Sequence, residues 1–331
     1  MIELLKALIA AKSLSRHEKA AIDVLSDQCK KDGIDVQMVG NNMVMSKGKG
    51  DKTLLFVSHL DTVPAAEGWT SDPYTAIEKE GRIYGLGSCD AKGQVVALYE
   101  AFKSAKVDGR LIFAAVCQEE ISGKDGIRKV LEHIGHVDAA VVAEPTCQQV
   151  CHGVTGLAYL NLITKGVAAH AVHAKENVIV KAINDVNTIE QYNDDTLKIT
   201  PTLIQSGKVK NVAPDSCTCT FDVRYNKQDL DRLCHKINEN IAGTLHITSN
   251  YEPRITHDDN AIVTLALAQN GQDKSQIFPA FCDAYFLDCP FIIFGPGLLE
   301  VAHHADEYVP INHLHFSAKF YASLAQRYLS Q

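Results

Sequence analysis

Four short apolar runs constrain this chain more than any other feature: Leu54–Val57, Leu111–Cys117, Ala139–Ala143 and Phe291–Phe294. Each has strand length and lacks the apolar–polar alternation of a half-exposed strand, which points to burial on both faces. Helical stretches separate them, Gln94–Ser104 and Lys124–Ile134 among them, and a last helix is expected from about Leu314. Buried strands spaced by helices predict an α/β sheet. Ahead of them, Ser15-Arg16-His17-Glu18 has the form of a capping box, opening a helix with Ala21, Val24 and Leu25 on one face and Gly33 at its close.

Between Gly156 and Glu252 the rhythm changes. Strands are expected at Leu157–Thr164, Lys198–Gln205, Ser216–Arg224 and Leu245–Thr248, with helices over Asn177–Tyr192 and, opened by Asn226, over Gln228–Ile241. That β-α-β-β-α-β order predicts a small ferredoxin-like α+β domain inserted into the larger one. The expected boundaries are 1–155 and 256–331 for the main α/β domain and 156–255 for the insertion.

Charge and composition exclude several classes. The 331 residues carry 32 Lys and Arg against 40 Asp and Glu, a net charge of −8, which argues against a nucleic-acid backbone binder. No apolar run approaches the roughly 18 residues that span a bilayer. Met1–Lys12 lacks the layout of a secretory signal, so a cytoplasmic protein without a membrane partner is expected. The ten cysteines include no CxxC pair and are expected to be reduced and mostly buried.

Polar chemistry collects where the apolar runs end. Ser58-His59-Leu60-Asp61 follows the first, Gln118-Glu119-Glu120 the second and Glu144-Pro145 the third, while Ala302-His303-His304-Ala305-Asp306-Glu307 comes soon after the fourth. Asp90 closes a Gly-rich turn, Gly85-Leu86-Gly87-Ser88-Cys89-Asp90, just before a helix. In an open α/β sheet ligands bind beyond the carboxyl ends of the strands, so these groups are expected at one crevice. Taken singly each has a plainer reading, a cap or a solvated helix start. Together, so many carboxylates with imidazoles need a cation. Mixed nitrogen and oxygen donors suit zinc, with cobalt as a substitute, and their number suits two ions sharing a carboxylate. Asp61, two residues from His59 on an extended segment, is placed to hydrogen-bond its ring.

These motifs, in this order, resemble the dinuclear zinc aminoacylase and carboxypeptidase family, whose members include acetylornithine deacetylase, succinyl-diaminopimelate desuccinylase and glutamate carboxypeptidase. The resemblance implies two zinc ions, one on His59, Asp90 and Glu144, the other on Asp90, Glu120 and His303, with Asp90 bridging; His304 is the neighbouring candidate for His303. It implies Glu119 as general base, Asp61 as the group orienting His59, and a cis peptide after Asp90. In the insertion, Gly166-Val167-Ala168-Ala169-His170 is similar to the family's lid motif, with His170 stabilising an oxyanion in the partner subunit of a dimer; the usual Pro and Gly after it are absent, and His173 is a second candidate. Asn211-Val212-Ala213-Pro214 and Asp222-Val223-Arg224 are similar to segments that give the substrate an Asn, here Asn211, and an Arg for its carboxylate, here Arg224. A structural ion pair with Asp222 is the alternative for Arg224.

The resemblance also implies the reaction: hydrolysis of a linear amide in a small N-acyl amino acid, by a homodimer joined through the inserted lid and dimerisation domain. Gly68-Trp69-Thr70-Ser71-Asp72-Pro73-Tyr74 and Glu144-Pro145-Thr146 look most like the acetylornithine and acetylcitrulline deacetylases, and Tyr285 stands where desuccinylases carry Arg. N-acetyl-L-ornithine, in arginine biosynthesis, is therefore the expected substrate. N-acetyl-L-citrulline follows, then a succinyl-diaminopimelate or dipeptide substrate, or a silent ligand-binding relative.

Overall fold

The apolar runs form the middle of a mixed sheet. In the computed structural model, which describes residues 1–330, the sheet order runs Gln37–Val39, Asn42–Lys47, Arg110–Val116, Thr53–His59, Ala139–Val142, Phe291–Ile293, Cys151–Val154. Thr53–His59 lies parallel to both Arg110–Val116 and Ala139–Val142, and Phe291–Ile293 is parallel to Ala139–Val142. Asn42–Lys47 is antiparallel to Arg110–Val116. All seven residues of Thr53–His59 are buried. Leu54 and Phe56 face a core shared with the helices Lys92–Ser104 and Ile311–Leu329, where Phe56 meets Tyr321 and Phe294 stacks on Phe320 at 3.9 Å. Leu55 and Val57 on the opposite face are equally buried, so no polar alternation was available to the sequence.

The chain divides into two compact units. One comprises Met1–Gly153, Ile255–Phe278 and the residues from Cys282 onward; the other comprises Val154–Arg254 and Pro279–Phe281. In the second, Gly156–Lys165, Leu197–Ser206, Ser216–Tyr225 and Thr244–Tyr251 form an antiparallel sheet whose spatial order is second, third, first, fourth. Its helices Val178–Glu190 and Leu230–Asn238 press Ile189, Leu230, Cys234 and Ile237 against Leu160, Phe221 and Val223 of one sheet face.

Two local expectations need correction. The helix after Ser15 begins only at Lys19, and Glu18, at its cap position, makes no side-chain capping bond. Glu18 Oε1 instead accepts the N–H of Arg16 and of Gln118, and the Ser15 hydroxyl donates to Asp61. The box residues are spent on holding two distant segments together. The helix expected to open at Asn226 is capped by Asp229, which accepts from the Arg232 N–H at 3.0 Å, and runs only Leu230–Asn238. Gly33 does close the first of these helices, in the left-handed region at φ 69°. Among the described residues no disulfide forms, and all the cysteines but Cys147 and Cys289 are buried. Among the described residues no helix is long and apolar enough to cross a membrane.

Candidate metal centre

His59 ends its strand with its ring 1 % exposed. Its Nδ1 lies 2.9 Å from the backbone carbonyl of Asp61 and 3.6 Å from Asp61 Oδ1. The bond expected from the Asp61 carboxylate is thus made by its main chain. An Nδ1–H donated there leaves Nε2 to face Asp90 Oδ1 at 3.1 Å. Asp61, fully buried, has other work: its Oδ1 accepts the N–H of Glu119 at 3.1 Å, and its Oδ2 accepts the N–H of Glu120 at 3.2 Å and the Ser15 hydroxyl at 2.7 Å. One carboxylate therefore fixes the short 3-10 turn Glu119–Ile121 beyond the end of Arg110–Val116.

Asp90 is the centre of the cluster. Its Oδ1 faces His59 Nε2, and its Oδ2 lies 3.4 Å from His303 Nε2, which also lies 3.0 Å from Glu120 Oε1. Each oxygen of one carboxylate thus faces a different imidazole, as a carboxylate shared by two cations would. The Asp90–Ala91 peptide is cis. Ligand atoms of His59, Asp90 and Glu120 lie within 4.8 Å of one another, close enough to hold an ion. Glu119 Oε2 comes within 3.9 Å of His59 Nε2. Glu144 is buried among the same charges, coupled electrostatically to Asp90, His59 and Glu120. His303, at φ 62°, reaches this group with 48 % of its side chain still exposed, and its neighbour His304 is exposed as well.

The charges show what is wanted here. Burial, and then the neighbouring carboxylates, push Glu119 and Glu144 well above the usual range, and Glu120 above it as well. Hydrogen bonds to Asp90 and Glu120 push His303 up to about 10. His59 is held well above its ordinary value despite burial, because Asp61 and Asp90 favour its imidazolium. The donor set, imidazole nitrogen with carboxylate oxygen, suits a divalent cation such as zinc.

Three residues of this region escaped the sequence. Ser15 is 46 positions from the Asp61 it contacts. Asp283 is 3 % exposed, its Oδ2 has no partner, and burial raises its pKa to about 7. Glu307 is buried and accepts backbone N–H groups from the turn at Gly87–Asp90. Ser15 and Glu307 lay in motifs already marked, Ser15 as a helix cap and Glu307 beside the candidate ligand His303.

His170, Asn211 and Arg224 lie in the other unit. His170 and His173 are exposed with ring centroids 6.2 Å apart, and Ala169–His170 pairs with Val212–Ala213 beside Asn211. Arg224 is held by Asp222, Nε to Oδ1 at 2.8 Å and Nη2 to Oδ2 at 3.1 Å, the ion pair weighed as its alternative role.

A buried cluster of imidazoles and carboxylates at the strand ends of an α/β sheet defines a metallohydrolase-type site. The sequence model of peptidase family M20/M25/M40 matches residues 55–327, and the chain belongs to that family of metal-dependent peptidases and amidohydrolases. It is 27 % identical to a succinyl-diaminopimelate desuccinylase of Rickettsia bellii, covering 94 % of this chain and 92 % of that one. It is 28 % identical to an acetylornithine deacetylase of Proteus mirabilis, covering 93 % and 91 %. Among solved structures, a tripeptidase from Staphylococcus aureus superposes with a TM-score of 0.82 at 19 % identity over 100 % of this chain and 98 % of that one. A Bacillus subtilis M20 peptidase described as dinuclear metal-binding superposes with a TM-score of 0.76 at 16 % identity over 99 % and 97 %. These likenesses establish the mixed α/β fold.

Proposed function

We propose that this protein is a dinuclear zinc amidohydrolase that deacetylates an N-acetyl amino acid, N-acetyl-L-ornithine before N-acetyl-L-citrulline, in the cytoplasm. The observation that carries the two-metal reading is Asp90, whose two oxygens face His59 and His303 separately. His59, Asp90 and Glu144 would hold one ion, and Asp90, Glu120 and His303 the other. When bound, the ions supply the positive charge that polarises an amide carbonyl and eases removal of a proton from the attacking water. Glu119, whose proton affinity burial raises, accepts that proton as the water oxygen bonds to the carbonyl carbon. It then delivers the proton to the departing nitrogen as the C–N bond breaks, giving acetate and a free amine. Asp61 holds the Glu119 and Glu120 amides, so base and ligand keep a fixed spacing.

In the inserted unit, His170 is assigned to the oxyanion and Asn211 and Arg224 to the substrate. Asp222 takes the Nε/Nη2 edge of Arg224 and leaves the Nη1 side for a carboxylate. A homodimer through this unit is supported by the edge strand Leu197–Ser206. Leu203 and Ile204 stand 59 % and 56 % exposed there, beside Ile183 in a cleft of about 220 Å³. Tyr285, in place of the cation expected for a second substrate carboxylate, supports the acetyl over the succinyl group. The desuccinylase reading follows the two acetyl substrates, and it stays open because the curated relatives bear both names at similar identity.

The test is amine release by the zinc- or cobalt-loaded protein from N-acetylornithine, N-acetylcitrulline, N-succinyl-diaminopimelate and dipeptides, with a chelator control. Chelator-sensitive turnover of acetylornithine is the expected result. Preference for the succinyl substrate would replace the substrate and keep the mechanism, and silence of the metal-loaded protein on all of them would overturn the reading.

A further inference from the structure

The turn Gly85–Asp90 carries the central carboxylate of the site but belongs to no helix or strand of its own. Its six backbone N–H groups must therefore find partners one by one. Leu86 donates to the carbonyl of Pro73 and Ser88 to that of Gly85. The other four all go to one residue. Gly85 donates to the backbone carbonyl of Glu307 at 3.0 Å, Gly87 to its Oε2 at 3.0 Å, and Cys89 and Asp90 to its Oε1 at 2.7 and 2.9 Å.

Glu307 is 1 % exposed and stands four residues after His303 on the same segment. That segment is held from its other side by Asp306, whose Oδ1 accepts from the N–H and the hydroxyl of Thr70. One short stretch therefore contributes His303 directly and clamps the main chain of Asp90, 3.4 Å away through its Oδ2. The buried ammonium of Lys92 lies within electrostatic reach of Glu307 and donates to the carbonyl of Ala11. The turn is closely packed: a Cβ at Gly87, φ +79°, would come within 2.8 Å of Thr62 and 3.0 Å of Lys92, so only glycine fits there.

We propose that Glu307 is a positioning residue for the metal centre: by gathering the amides of Gly87, Cys89 and Asp90 it sets the distance between the Asp90 carboxylate and His303, and so the affinity for the ion held on the His303 side. The proposal rests on the two-metal reading above. It assigns Glu307 no contact with metal or substrate. A group acting through the main chain of a ligand alters metal affinity by roughly 10–100-fold when removed.

The experiment is a zinc titration of the metal-free protein, wild type against Glu307→Gln, with the visible spectrum of the cobalt-loaded forms read in parallel. The Gln carbonyl can still accept from Cys89 and Asp90, while its NH2 opposes the Gly87 N–H, so geometry is disturbed without a change of volume. The expected result is two ions in both proteins, one of them bound about 10–100-fold more weakly in the variant. A changed cobalt spectrum and a lower kcat with little change in KM should accompany it. If Glu307→Gln does not fold, Glu307→Asp keeps the charge, withdraws it by one methylene and is read in the same way. Wild-type affinity and spectrum in a variant that only melts earlier would overturn the proposal and leave Glu307 a support of the fold. A wild type that binds no second ion would overturn the two-metal reading itself, and this proposal with it.

Discussion

The two units place the proposed site residues in opposite ways. In the larger one His59, Asp61, Asp90, Glu119 and Glu144 are all nine-tenths or more buried, and their charges are answered by one another or by backbone amides. In the inserted one His170 and Asn211 are exposed, and Arg224 is paired along its own strand. Buried charge must be built in at folding, because an unpaired ion in a dry interior costs several kcal/mol. Exposed groups carry no such requirement and can take up their role when a ligand or a second copy arrives. The first unit holds chemistry ready, whereas the second offers surface.

The sharpest way to break this contrast is at the base. Glu119→Gln should lower kcat by roughly 10²–10⁴-fold, the range of general acid–base catalysis, while the zinc content of the purified protein stays at the wild-type value. Loss of metal instead would make Glu119 a ligand. In the inserted unit, Ile204→Glu places a charge on the exposed apolar edge and should shift the protein from dimer to monomer by analytical ultracentrifugation, with the larger unit's metal content unchanged. An unchanged sedimentation coefficient would remove this strand from the interface.

A smaller effect should appear in the pH dependence of stability. Asp283 has a pKa of about 7 in the folded protein because burial favours its neutral form, well above the value it takes when unfolded. The folded state then holds a proton that the unfolded state releases from about pH 4 upward. Its contribution declines as pH rises from about 4 to 7. In the metal-free protein Asp283→Asn should flatten that part of the curve of melting temperature against pH, and an unchanged slope would assign it elsewhere. Smallest of all, Ser15→Ala removes one hydrogen bond to Asp61 and should cost about 1–3 kcal/mol in chemical denaturation.

What could be read from the sequence follows from the same contrast. The central strands announced themselves because burial on both faces left unbroken runs such as Leu54–Val57, and the polar groups at their ends fell where a parallel sheet opens. The edge strand Gln37–Val39 left no such mark, since Gln37 and Met38 are exposed and it pairs with Asn42–Lys47 over only three residues. The chain gave a false signal at Ser15-Arg16-His17-Glu18, whose composition fits a helix cap. Tertiary partners at Asp61 and Gln118 took those side chains instead. His303 could be chosen over His304 only by likeness to a family, because nothing in the sequence distinguishes two adjacent imidazoles; in the fold it is His303 that meets Asp90 and Glu120.

The placement of Glu307 bears on the order in which the protein can assemble. His59, Asp90, Glu119 and Glu144 leave the ribosome early, but the residues that complete the cluster come only after the whole inserted segment has been made. During that interval the nascent larger unit carries its acidic residues with neither His303 nor the amide-gathering carboxylate to organise them. Long-range closure of this kind is slow because loop entropy is lost before the contact rewards it. A chain stalled before residue 303 should therefore hold zinc poorly even with three of its proposed carboxylate ligands already synthesised, and metal capture should be among the last events of its maturation.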